Sequence, residues 1–396
     1  MLSDRVKEIT ISQTMMISGE ALKLKSEGVD LIDLSVGEPD FHTPNNIKEV
    51  GKNAIDENRT KYTLNQGTKE LRTAIAAKLK IDNKLEYSIN EIVVSNGAKQ
   101  SIYNSIFAVV NPGDEVIIAA PHWVSYPSMV QLAGGKNVII ETDESTGFKI
   151  TPKQLASAVT AKTKLLIICN PSNPTGSVYS KIELEQLAEI VKQNNFYVLA
   201  DEIYEKLIYD DFKFTSFASL GDDIKKKTIL INGISKSYAM SGWRIGYAAA
   251  PENVASAINK IQSHTTSNAS SISQHAAIEA IAGPQYVVDE MLSEFKKRRD
   301  YLFKEITSIK GITCYKPEGA FYLFPNITHF LNGKSKIFKI TNSFDLAMHL
   351  LYEAHIAVIP GSGFGKEGYL RLSYSTSMEY LKEAVYRLKA ALDKIH

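Results

Sequence analysis

The chain reads as an α/β protein, with a large domain built on a mainly parallel sheet and a smaller α+β domain after it. Three observations predict this: short apolar runs without polar alternation, helical patterns between those runs, and a change of pattern beyond residue 286. Strands covered on both faces lose the apolar–polar alternation, and strands interleaved with helices favour a parallel sheet.

Taken in order, residues 1–30 predict an extended piece and then an amphipathic helix from Ser18 to Glu27. Ile92–Val94, Glu115–Ile118, Leu165–Ile168, Tyr197–Leu199 and Thr228–Ile231 predict buried strands. Between the third and fourth of these, Ile182, Leu184, Leu187, Ile190 and Val191 recur at helical spacing, which predicts a helix over Lys181–Gln193. A charged helix from Tyr286 to Ile309 then leads out of the first domain. Beyond it Gly319–Phe324 and Tyr369–Ser373 predict strands, with a helix from Ser343 to Tyr352 between them. The division expected is an N-terminal arm over 1–44, a large domain over 45–285 and a small domain over 286–396.

Composition narrows the function classes. The chain has 396 residues, 44% hydrophobic and 22% charged, which suits a globular protein of two or three domains. A net charge of +1 gives no field to gather nucleic acid or an anionic membrane. Cys169 and Cys314 lie in no shared motif, so unpaired thiols in a cytoplasmic protein are expected. No run approaches the roughly 18 apolar residues of a membrane span, and Met1 to Ile11 lacks the apolar stretch of a secretory signal. The eight histidines show no metal-ligand spacing, so no metal is expected. Gly361-Ser362-Gly363-Phe364-Gly365 looks like a dinucleotide loop, but a strand pattern rather than a helix follows it, which makes a nicotinamide dehydrogenase the weakest reading.

The chemistry-bearing positions fall at the ends of strand-like runs. Lys236, in Ser235-Lys236-Ser237-Tyr238-Ala239-Met240-Ser241-Gly242-Trp243-Arg244-Ile245-Gly246, is flanked by small residues and a single cation. Crowding and a nearby cation lower a lysine's pKa and make its amine a covalent catalyst; the plain alternative is a solvated surface lysine. Asp201 follows Val198-Leu199-Ala200, at the sheet edge where ligands of open α/β sheets bind, though a helix cap is also compatible. Asn173, in Pro171-Ser172-Asn173-Pro174-Thr175-Gly176, lies in a turn fixed by two prolines and a glycine. Val94-Ser95-Asn96-Gly97-Ala98-Lys99-Gln100 reads as strand, glycine turn and helix start, a source of unpaired N–H groups for an anion.

Position by position, Gly233 to Gly246 matches the lysine signature of the class I pyridoxal 5'-phosphate (PLP) aminotransferases. The chain resembles that family from Val36-Gly37-Glu38-Pro39-Asp40 to Leu370-Arg371-Leu372-Ser373-Tyr374, most of all its bacterial aspartate and aspartate/prephenate aminotransferase branch. The resemblance implies a fold-type-I PLP transferase whose N-terminal arm packs with the small domain, and a homodimer with shared active sites. It implies that Lys236 carries the cofactor and moves protons, and that Asp201 pairs with the pyridine nitrogen. Tyr204 and Asn173 are implied at the phenolic oxygen, Asn173 also at the substrate carboxylate. Trp123 is implied to stack on the cofactor ring, where core packing is its rival role. Gly97, Ala98, Lys99, Ser235 and Arg244 are implied around the phosphate, with Tyr62 reaching it from the neighbouring subunit. Many relatives carry a serine where this chain has Gly233, so Ser235 is the candidate replacement.

For the substrate, the resemblance implies that Arg371 grips the α-carboxylate with its planar fork, with Gly37 beside it. A second carboxylate needs a cation. His264-Thr265-Thr266-Ser267-Asn268-Ala269-Ser270-Ser271 has no arginine where one branch of the family uses one, so Lys99 is the candidate. The expected reaction moves the amino group of L-aspartate or L-glutamate to 2-oxoglutarate, oxaloacetate or prephenate. Aromatic or alanine transamination and a lyase or decarboxylase of the same fold are its rivals. A regulatory sensor would need a DNA-binding module, for which Met1 to Asp33 is too short and not basic. The N-terminal arm, Thr10 included, is where the choice between prephenate and oxaloacetate would be made.

Overall fold

A computed structural model describes residues 2–7, 9, 13–333 and 339–395. The large sheet has seven strands: β1 (Ile92–Ser95), β2 (Glu115–Ala120), β3 (Lys136–Glu141), β4 (Thr163–Cys169), β5 (Tyr197–Asp201), β6 (Thr228–Gly233) and β7 (Gly246–Ala249). Their order across the sheet is β1-β7-β6-β5-β4-β2-β3. All neighbours are parallel except β7, which runs antiparallel to both β1 and β6. The carboxyl ends of β1, β2, β4, β5 and β6 therefore share one edge.

The sheet is covered on both faces, and the alternation along β4 shows how. Leu165 and Ile167 join a core with helices Ala98–Val109 and Glu252–Ser263, while Leu166 and Ile168 join another with helix Lys181–Gln193. Successive side chains of a strand point to opposite faces, so an unbroken apolar run fills two cores. Each such leucine or isoleucine contributes about 1.5–3 kcal/mol by leaving water. Helix Lys181–Gln193 starts at a capping box, in which Ser180 Oγ accepts from the Glu183 N–H and the Glu183 carboxylate accepts from the Ser180 N–H.

Helix Tyr286–Thr307 runs from this layer to a three-stranded antiparallel sheet of β8 (Tyr322–Leu323), β9 (Ile359–Pro360) and β10 (Leu370–Ser373), in the order β9-β10-β8. Phe295 of that helix stacks on Phe321, with ring centroids 5.3 Å apart. Ile32 and Asp33 pair in parallel with Ile356 and Ala357, and the Ser373 N–H donates to Leu34 O at 2.8 Å.

Several expectations need correcting. The first residues are not simply extended, because Asp4–Lys7 is a short helix and the next begins at Gln13 and ends at Ser26. The buried face of that helix begins at Ile17, one residue before Ser18, and continues through Ala21 and Leu24. The strand expected over Gly319–Phe324 is only Tyr322–Leu323. β3 and β7 were not anticipated: β7 is Gly-Tyr-Ala-Ala, without the β-branched residues that mark strands. Thr10 lies outside the described residues. No helix among the described residues is long and apolar enough to cross a membrane.

Candidate active site

Five strand ends deliver side chains to one cavity of about 590 Å³ between the two sheets. β5 ends in Asp201, whose neighbours Ile203 and Tyr204 turn into the same space. The Asp201 carboxylate is buried and accepts from the Tyr126 hydroxyl at 2.6 Å and from the Ile203 N–H at 3.3 Å. Burial pushes its pKa up to about 6, against the opposing pull of the Tyr126 bond. The Tyr204 hydroxyl meets that of Tyr322, from β8, at 2.9 Å.

Lys236 follows β6. Its Nζ donates to Gly37 O, across the cavity mouth from the strand that presents it. Burial above all lowers its pKa to about 8; Arg371 and Arg244 add to the lowering, and Glu38 and Asp201 oppose it. The amine is thus far closer to neutral near physiological pH than an ordinary lysine.

Beyond β1 the chain turns at Gly97, with φ +84°, into helix Ala98–Val109, whose first turn has no side-chain cap. A Cβ on Gly97 would run into the Arg244 guanidinium. Arg244 is held there by bonds to Ser241 O at 2.9 Å and Asn96 O at 3.2 Å. Unpaired helix N–H groups and a cation thus face the same corner. Gly233 is accounted for by the sheet: it pairs with Gly246 in β7, and a Cβ there would lie 2.9 Å from Ile245 O and 3.0 Å from the Gly246 Cα. A serine does not fit, while Ser235 does line the cavity.

Trp123, after β2, stands edge-on to Tyr126 at 5.2 Å and carries Lys99 Nζ 4.9 Å from its ring centroid. Lys99 is at the exposed rim, where partial desolvation and then the Arg244 charge lower its pKa. Arg371, from β10, lines the same cavity and is 4% exposed. Its Nη1 donates to Asn173 Oδ1 at 3.1 Å and its Nη2 to Ser35 O at 2.6 Å, while Nε is buried with no partner. Among the described residues no carboxylate forms an ion pair with it. A buried guanidinium with an unused donor is fitted to a carboxylate that arrives from outside.

Of the expected site residues, Gly37, Ala98, Lys99, Trp123, Asn173 and Asp201 line this cavity, as do Tyr204, Ser235, Lys236, Arg244 and Arg371. Gly97 lies under Arg244. Tyr62 is the exception: it is 93% exposed and does not line the cavity. Sequence reasoning overlooked Tyr126, which grips Asp201, and Tyr322, which grips Tyr204. Tyr126 meets Asp201 across 75 residues of sequence, so no local spacing marks it. Glu38 was also passed over; it accepts from Ser241 Oγ near the Lys236 segment. The described residues contain no group of three acidic, histidine or cysteine side chains placed for a metal.

Residues 29–388 match the family described as aminotransferase class I and II. An aspartate aminotransferase of Bacillus sp. (strain YM-2) is 46% identical over 388 residues, 98% of each chain. The aspartate/prephenate aminotransferase of Cereibacter sphaeroides is 45% identical over 392 residues, again 98% of each. Among solved structures, the aspartate aminotransferase of Rhizobium meliloti superposes with a TM-score of 0.96 at 40% identity and full coverage of both chains. That of Thermus thermophilus, solved with maleate, gives 0.93 at 38% identity over 99% of each.

Proposed function

The chain belongs to the class I and II aminotransferases and is a transaminase of the fold-type-I architecture; on that premise we propose that it binds PLP at Lys236 and transfers the amino group of L-aspartate or L-glutamate to a 2-oxo acid. The acceptors proposed are 2-oxoglutarate, oxaloacetate and prephenate. One observation carries the reading: the Lys236 amine, the Asp201 carboxylate and the Arg371 guanidinium, from three separate strand ends, open into one cavity.

The residues fit the cofactor. The cradle under Arg244 stays open only because Gly97 has no Cβ, and with the helix N–H groups it suits a phosphate. Asp201 suits a protonated pyridine nitrogen, because a cation at its buried carboxylate offsets the burial that raises its pKa. When bound, the cofactor supplies an electron-withdrawing ring that stabilises negative charge developing at the substrate's α-carbon. Asp201 would keep the ring nitrogen protonated. Tyr204 and Asn173 would orient the phenolic oxygen, Ser235 and Arg244 would hold the phosphate, and Trp123 would cover the ring. Lys236 would hold the cofactor covalently through its amine. Once free, its amine would take the proton from the substrate's α-carbon and hold it for return. Arg371 and Gly37 hold the α-carboxylate throughout, so the two half-reactions share one site in a ping-pong sequence.

Lys99 is the proposed reader of the second carboxylate: its ammonium stands over Trp123 at the rim of the cavity that Arg371 also lines. The maleate-bound relative is consistent with a dicarboxylate site, since maleate carries two carboxylates. We further propose a homodimer. Its support is the apolar surface left open: Leu64 is 60% and Tyr62 93% exposed, and Met15, 73% exposed, lines a recess of about 840 Å³ with Tyr103 and Leu132. The division at residues 44 and 285 belongs to the same reading, and the free thiols of Cys169 and Cys314 support a cytoplasmic setting. The test is spectroscopic. The purified protein should show visible absorbance of lysine-bound PLP that L-aspartate discharges and oxaloacetate restores. Absorbance that neither compound changes would sink the reading.

A further inference from the structure

Behind the turn that presents Asp201 and Tyr204 lies a second set of buried charges. Glu202 and Glu205, the next residue after each, are 1% and 7% exposed and point away from the cavity. Glu202 Oε1 accepts from Ser216 Oγ and from the Phe217 N–H, each at 2.9 Å. Glu205 is held at both oxygens: Lys78 Nζ donates to Oε1, and Asn83 Nδ2 donates to Oε2 at 2.8 Å. Lys78 Nζ also donates to Asn83 Oδ1 at 2.7 Å, which closes a ring of three side chains. Both partners stand on helix Lys69–Asn83, and Lys206 adds an ion pair to Asp82 at 2.6 Å from the same helix.

Net stability is a poor explanation for this ring. A buried lysine–glutamate pair loses so much hydration that an apolar pair of similar size usually serves stability as well or better. What the ring does provide is position, because a carboxylate engaged at both oxygens has one place to sit. The turn transmits that position: the Glu205 N–H donates to Glu202 O at 3.0 Å, and the Leu207 N–H to Tyr204 O at 2.8 Å. Among the described residues the Tyr204 hydroxyl has one polar partner, Tyr322, which belongs to the other sheet. An anchor on its own sheet's side is what the Glu205 ring adds.

We propose that Lys78, Asn83 and Glu205 are positioning residues, a buried clamp that sets the Tyr204 hydroxyl and the Asp201 carboxylate against the cofactor. The proposal rests on the PLP reading of the cavity. It predicts that position, and not folding stability, is lost when the charges are replaced by an apolar pair. In Lys78→Met/Glu205→Leu the thermal midpoint should stay near the parental one. The pH midpoint of the lysine-bound cofactor's absorbance should move by about half a unit or more, because Tyr204 meets the phenolic oxygen. The value of kcat should fall about tenfold or more with little change in KM for aspartate. A double variant with parental midpoint and parental kcat would show that the pair only fills space, and would overturn the clamp. Should that protein not fold, Asn83→Leu and Glu205→Gln carry the same test. A shift of the absorbance midpoint in both supports the clamp, and its absence in either overturns it. A parental protein without the absorbance would instead remove the cofactor reading, and the clamp with it.

Discussion

The chemistry of Lys236 depends on how much water its surroundings exclude. An amine that must bond to a carbonyl has to lose its proton first, and burial lowers the Lys236 pKa to about 8. The sign is direct: below about pH 8 the ammonium dominates, and the free amine gains about tenfold per pH unit as the pH rises toward it. Capture of PLP by the cofactor-free protein should therefore accelerate up to about pH 8 and level off above it. Stopped-flow absorbance across that range is the measurement; a rate still climbing at pH 10 would mean an ordinary exposed lysine. Lys236→Ala should fold, lose the visible band and carry out no half-reaction. For Asp201→Ala the expected loss is in kcat, on the order of a hundredfold, with KM for aspartate little altered, since the charge it stabilises develops on the way to the transition state. A raised KM with unchanged kcat would contradict that. These positions were legible in the sequence because each sits in a continuous motif at the end of an apolar run. Tyr126, Tyr322 and Glu205 were not, since their partners Asp201, Tyr204 and Lys78 are brought to them only by folding.

At the scale of elements, legibility followed burial. β4, β5 and β6 are continuous apolar runs because both faces are covered, and helix Lys181–Gln193 has one apolar stripe and a capping box. β7 escaped because its small residues answer to close backbone contact and not to strand propensity. Gly246 packs against the backbone of Gly97 and Ala98, so that a Cβ there would overlap Ala98 N. Pairing with β7 likewise forbids a side chain at Gly233, and the bare Cα of Gly97 leaves room for Arg244. The β1–helix turn and the β6–β7 pair thus form one cradle, proposed above for the cofactor, whose glycines are steric requirements. Gly97→Ala puts a methyl group into the Arg244 guanidinium at a residue with φ +84°. It should weaken PLP binding about tenfold or more, equivalent to about 1.4 kcal/mol, while leaving the secondary structure intact. Equilibrium dialysis of the cofactor against both proteins decides this, and equal affinities would remove the cradle from the account.

For the whole molecule the open question is what lies over Tyr62. Its ring is almost fully exposed, on a segment that also exposes Leu64 and leads into helix Lys69–Asn83. This ring lies beyond the cavity of its own chain and is the most exposed of the chain's large apolar side chains among the described residues. In the proposed dimer each Tyr62 reaches the phosphate corner of the other protomer, so a site draws on two chains. That arrangement is invisible to any pattern within one sequence, because strand periodicity and motif spacing report on a chain's own core. It has a distinctive consequence for mixed dimers. A chain carrying Tyr62→Phe keeps its lysine, and a chain carrying Lys236→Ala keeps its tyrosine. Combining them creates one site with both lesions and one with neither. Activity should therefore recover on mixing the two, rising above that of either variant alone, with the mixed dimer approaching half the parental turnover. Were both residues to serve the same chain's site, the mixed dimer would hold one site lacking only the tyrosine and one lacking only the lysine. Its activity would then equal the average of the two parents, and the shared-site dimer would have to be abandoned.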